Sequence, residues 1–140
     1  MLFLLCFCSV LLLCGIQDAK TMQISPYYPL LTAACFWLNP AWQKQDSLAG
    51  FLVCGGVLFL VSCIKRGAFG GGDIKLCAAA GFTLGCMSGV FGLLLALLFS
   101  LPQAILAHRK KISYIAFGPY LSAGFSLAAF FNILSYGGSI

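Results

Sequence analysis

The chain has 140 residues, 61% of them hydrophobic and 8% charged, with a mean hydropathy of +1.02. Soluble domains are roughly 45–50% apolar, so this composition excludes an ordinary water-soluble fold and makes lipid the expected solvent. The net charge of +5 comes from eight Lys and Arg against three Asp and no Glu; with the cations placed between apolar runs, it points to membrane topology rather than to nucleic acid.

With no water in the bilayer core, spanning segments must be helices or a closed barrel. The apolar runs here are continuous rather than alternating, which selects helices in a single domain, 1–140. Span one is Met1 to Ile16. It has no basic flank and no small-residue cleavage site, and the residue before Cys14 is the bulky Leu13, so it reads as a retained helix rather than a signal peptide. A polar junction, Gln17 to Gln23, contains Asp18. Span two, Ser25 to Leu38, is short and holds Pro29. After Asn39 to Asp46, span three runs from Ser47 to Ile64. The segment from Lys65 to Asp73 follows, with Gly70, Gly71 and Gly72 in a row. From Ile74 to Ala107 the chain stays apolar for 34 residues, about 51 Å of helix against a core of about 30 Å. Two spans meeting near Gly85 to Gly92 are expected. The cluster His108-Arg109-Lys110-Lys111 precedes span six, Ile115 to Leu134. The expected fold is an all-α integral membrane bundle of six transmembrane helices, N-terminus outside.

That orientation follows from charge. With the N-terminus outside, Lys20, Lys65, Arg66, Lys75, Arg109, Lys110 and Lys111 face the cytoplasm and only Lys44 lies outside, a strong positive-inside asymmetry. Asp18 ends span one and Asp73 opens span four. Two spans separate them, so both fall at the cytoplasmic face, and Asp46 falls at the other. This parity requires span two to cross.

Ionisable residues at the edge of an apolar span point to function. Against that stands the plain reading of each Asp as a membrane-surface residue. The glycines before Asp73 favour function: they allow positive φ and close backbone approach, so a substrate strand could lie beside the carboxylate. A phosphate loop is disfavoured, because no G-K-[ST] follows and an acid there repels phosphate. The eight cysteines form no C-x-x-C and sit mostly within apolar runs, where free Cys acts as a small hydrophobe. Trp37, Trp42, Tyr27, Tyr28 and Tyr114 read as interfacial anchors, and Asn132 as a bond to another helix.

Gly70-Gly71-Gly72-Asp73-Ile74-Lys75-Leu76 resembles the G-x-G-D-x-K-L segment of the type IV prepilin peptidases, members of the wider G-x-G-D intramembrane aspartyl proteases. Asp18 to Ser25 is similar to that family's first aspartate motif, an Asp with Ile six residues later and then usually Pro; here Ser25 takes the Pro place and Pro26 follows. Ile115-Ala116-Phe117-Gly118-Pro119-Tyr120 resembles I-P-F-G-P-F, with Ala116 in the Pro place. Presenilin-like proteases share G-x-G-D but carry Tyr before the first Asp, where Gln17 stands here. Many prepilin peptidases also carry two C-x-x-C pairs and an N-methyltransferase activity. Without those pairs the chain resembles the short, peptidase-only form, and methylation is not implied.

The resemblance implies an aspartic endopeptidase with Asp18 and Asp73 as catalytic pair and Gly70, Gly71 and Gly72 as substrate-approach loop. It needs no metal and no cofactor. Its partners would be prepilin or pseudopilin precursors, cleaved after a glycine at the cytoplasmic face of a bacterial cell membrane that serves a pilus, secretion or DNA-uptake machine. Membrane lipid is the other partner; nucleic acid is not one. Paired carboxylates share a proton because both cannot readily ionise. Asp73 begins a helix and Asp18 ends one, so dipoles alone make Asp73 the ionised base and Asp18 the protonated acid. The alternative reading is a small ion- or proton-coupled transporter or channel subunit using the same two acids.

Overall fold

The computed structural model describes residues 2–21, 23–39, 44–64, 70–109 and 117–137. Expectations at Trp42, Lys65, Arg66, Lys110, Lys111, Tyr114, Ile115 and Ala116 lie outside them. Six α-helices and one 3₁₀ turn make up the described chain: α1 Leu2–Thr21, α2 Tyr27–Ala34 continued by the 3₁₀ turn Cys35–Leu38, α3 Lys44–Ile64, α4 Gly71–Leu84, α5 Cys86–Arg109 and α6 Gly118–Gly137. Large apolar side chains face outward, among them Leu5, Leu12, Leu52, Leu60, Leu94, Leu98 and Ile105. Water would oppose that arrangement and hydrocarbon does not, so the protein is an all-α membrane bundle. Leu2–Thr21, Asp46–Ile64 and Cys86–Leu106 are each long and apolar enough to cross a bilayer.

Span two is the short one. Its 8 α-helical and 4 3₁₀ residues extend about 20 Å. Pro26 turns the chain into α2, and Pro29 falls in its first turn, where a missing N–H costs nothing. The segment nevertheless runs the length of its neighbour. Ile24, just before it, packs against Gly72 at the start of α4. At its other end Asn39 Nδ2 donates to Thr83 O at 2.6 Å, near the end of α4. Between them Thr83 Oγ1 donates to Thr32 O at 2.9 Å. The chain therefore changes ends between Asp18 and α3.

The long apolar run breaks at one residue. Gly85 has φ +84 and ψ 174, backbone that is essentially restricted to glycine. It lets α4 end and α5 begin at once, inside the interval expected from length. Close approaches then order the helices. Gly50 and Gly81 bring α3 and α4 into backbone contact, a Cβ on either meeting the other's carbonyl oxygen within 2.5 Å. Gly124 brings α6 against the α5 backbone at Gly92 and Ala96, a Cβ on Gly92 would meet the Phe125 ring and Ala128, and one on Gly15 of α1 would meet Ser122 and Pro119 of α6. Small residues do this in lipid, where burying apolar surface drives nothing. Short α4 lies innermost, with Leu76, Cys77, Ala78, Ala79 and Ala80 all buried. Asn132 Nδ2 on α6 donates to Ser88 Oγ on α5 at 2.5 Å, the interhelical bond expected for it.

Candidate active site

The two acids reach the same place from different helices. Asp18 lies in the last turn of α1, which continues through the polar residues after Ile16 as far as Thr21. Asp73 is the third residue of α4. Both line one cavity of about 310 Å³ with Gln23, Ile24, Gly70, Gly71 and Gly72. Asp18 is 5% exposed and Asp73 7%, so neither is a surface carboxylate. Asp46 is exposed and lies at the other end, its Cβ 3.5 Å from where a side chain on Gly85 would begin. Lys20 and Lys75 are exposed at the end that holds the pair. The end of α5 at Arg109 belongs there too, because α5 and α6 run antiparallel from Ser88 and Asn132.

The glycine run is not the loop expected of it. Gly70 is the extended residue before α4, and Gly71 and Gly72 already belong to its first turn. None of the three has positive φ. Two of them provide space: a Cβ on Gly72 would stand 2.7 Å from Ile24 Cβ, and one on Gly70 would stand 3.3 Å from Asp73 Oδ2, whereas one on Gly71 would meet nothing within 4 Å. A larger residue at Gly72 would push the segment before α2 off the site.

Hydrogen bonding distinguishes the acids. Gly70 N donates to Asp73 Oδ2 at 3.3 Å, beyond the usual 2.7–3.2 Å range. Asp73 Oδ1 is buried without a hydrogen-bond partner. Asp18 Oδ2 accepts from Gly118 N at 2.9 Å. Dipoles of α1 and α4 alone omit this third helix. A hydrogen bond to a charged group contributes about 1.5–3 kcal/mol, against about 0.3–1 for a helix dipole at its terminus. The Gly118 contact acts on Asp18 in the direction opposite to the α1 dipole. Sequence reasoning singled out Phe117-Gly118-Pro119 as a segment but gave it no role, since nothing local shows that it meets a residue 100 positions away.

Fold and site together define a polytopic helical membrane protein with a buried carboxylate pair, drawn from two helices, at one end of the bundle. Residues 5–105 match the model of the type IV leader peptidase family, and the chain belongs to that family. It is 31% identical over 143 residues to a "Prepilin leader peptidase/N-methyltransferase" of Bacillus subtilis (strain 168), covering 93% of this chain. It is 38% identical over 134 residues to the protein so named in Escherichia coli (strain K12), covering 84% of this chain. The chain spans 56% and 57% of the length of these curated relatives. No solved structure matches it.

Proposed function

We propose that the protein is an intramembrane aspartic endopeptidase that removes the leader peptide of type IV prepilins or pseudopilins, cutting after a glycine at the cytoplasmic membrane face. The observation that carries this reading is the meeting of Asp18 and Asp73, buried and on separate helices, in one cavity. Family membership and the relatives' names support leader peptidase chemistry; the transferase part of those names is not carried over. Lys20, Lys75 and the end of α5 at the same end support a cytoplasmic site in a bacterial cell membrane by the positive-inside rule.

The chemistry needs one proton shared by the pair. One carboxylate takes a proton from water as the water oxygen bonds to the scissile carbonyl carbon, and the protonated carboxyl gives its proton to the carbonyl oxygen. The tetrahedral diol then collapses. Its C–N bond breaks, the amine leaves with the proton taken from water, and a diol hydroxyl returns a proton to the other acid. The pair ends as it began.

The test is cleavage of a leader-bearing precursor by the purified chain in nanodiscs. Asp18→Asn and Asp73→Asn should each lower kcat by at least about 10²-fold, the scale of general acid–base catalysis, with helicity retained. Cleavage surviving either change would dismiss the pair. Loss of proton-coupled flux in those variants, with no cleavage by the parent protein, would establish the transporter reading instead.

A further inference from the structure

Position 118 combines two independent observations. The first is the 2.9 Å bond from Gly118 N to Asp18 Oδ2. The second is exclusion: a Cβ at 118 would lie 2.6–2.9 Å from Oδ2, Cβ and Cγ of Asp18. The start of α6 leaves this amide free for the task. Pro119 has no N–H, and Tyr120 N already donates to Phe117 O at 3.1 Å; the Gly118 N–H is thus the first-turn donor left over. One turn back from Asp18 on α1, Gly15 has no room for a side chain against Pro119 and Ser122, and this lets α6 come close enough for the bond to form.

Resting on the peptidase reading, we propose that the Gly118 amide is a positioning group that holds Asp18 as the ionised base, leaving Asp73 to carry the shared proton. Water then gives its proton to Asp18, and Asp73 gives its own to the substrate carbonyl oxygen. Asp73 Oδ1, buried and without a partner, is the oxygen on which that proton sits. Other groups around the pair do not disturb the assignment. The described titratable side chains facing it are the thiols of Cys14 on α1 and Cys77 on α4, which ionise well above carboxylates. On α6 Tyr120 is half-buried, and the segment leading into α2 contributes Gln23 and Ile24. Lys20 and Lys75 are exposed, each two residues from its Asp and so turned away on the helix.

Replacing Gly118 by glycolic acid during cell-free synthesis into nanodiscs swaps the N–H for an ester oxygen and adds no atom beside Asp18. Losing a bond to a charged acceptor should move the acid limb of the kcat–pH profile upward by about one to two pH units, with the alkaline limb nearly fixed. Movement of the alkaline limb alone would make Asp18 the acid and overturn the proposal, as would two unmoved limbs. Gly118→Ala should lower kcat by about 10²-fold with KM within about twofold, because the methyl displaces Asp18; wild-type kcat in that variant would also overturn it. Gly56→Ala, where a Cβ meets nothing within 4 Å, is the control and keeps the parent profile. If the Asp variants lose cleavage while the ester leaves both limbs in place, this inference fails and the peptidase reading stands.

Discussion

A methyl group at position 72 would stand 2.7 Å from Ile24 Cβ, closer than two carbons can approach, so the third glycine of the run is a packing requirement. Gly72→Ala should destabilise the protein by about 1–3 kcal/mol, the usual effect of overpacking. Only glycine at position 24 removes the Cβ that the methyl would meet. Gly72→Ala with Ile24→Gly should therefore lose less than the sum of the single changes, by about 0.5 kcal/mol or more, as contacting residues do. Thermal unfolding of the four proteins of this cycle in detergent measures the coupling, and strict additivity would contradict the contact. At this scale the sequence was informative wherever chemistry is rare. Three acids in an apolar chain single themselves out, and their parity along the spans separated Asp46 from the other two. It was silent on why Gly72 and Gly118 have no side chain, because the atoms that exclude one belong to residues 48 and 100 positions away.

Among the elements, the break between α4 and α5 shows how far length alone can reach. A 34-residue apolar run is too long for one span, so a break had to fall near its middle. Gly85 is where it falls, since φ +84 with ψ 174 suits no other residue. A Cβ there would make only ordinary contact, 3.5 Å from Asp46 Cβ, so the penalty of a substitution is conformational. Gly85→Ala should cost about 1–3 kcal/mol. Gly56→Ala, in the middle of α3 with open space around it, should be neutral or stabilise by up to about 1 kcal/mol. Chemical unfolding of the two variants side by side separates backbone strain from a general effect of removing glycine; equal stabilities would exclude the strain. Helix ends were less legible than helix existence. α1 runs on to Thr21 although the apolar run stops at Ile16, because Asp18 at its end is held by the start of α6. The 3₁₀ ending of span two has no local signature, and the Asn39 bond to Thr83 that accompanies it comes from another helix.

For the molecule as a whole, the order of packing was the part hidden from sequence. Helices apolar on every side give no stripe to orient them, and which neighbours touch is decided by small residues such as Gly50, Gly81, Gly92 and Gly124. What sequence could reach was the alternation of ends, and this depended on a segment only about 20 Å long. The bundle carries that segment from the Asp18 end to the Asp46 end, between Ile24 at Gly72 and Asn39 at Thr83. In the bilayer it is flanked by α1 and α4 rather than by lipid alone, so a length below the hydrocarbon thickness can still connect the two faces. The consequence is measurable with single thiols. After Cys63 and the half-buried Cys6, Cys8 and Cys86 are replaced by Ala, the remaining described cysteines are buried, and a cysteine at an exposed position reports its own side. Lys20→Cys and Lys75→Cys should react with a membrane-impermeant maleimide in inside-out vesicles, and Asp46→Cys in right-side-out vesicles. If Asp46→Cys labels from the same side as the other two, span two turns back without crossing. If all three sides are exchanged, the pair faces away from the cytoplasm, where the positive-inside argument for the site fails.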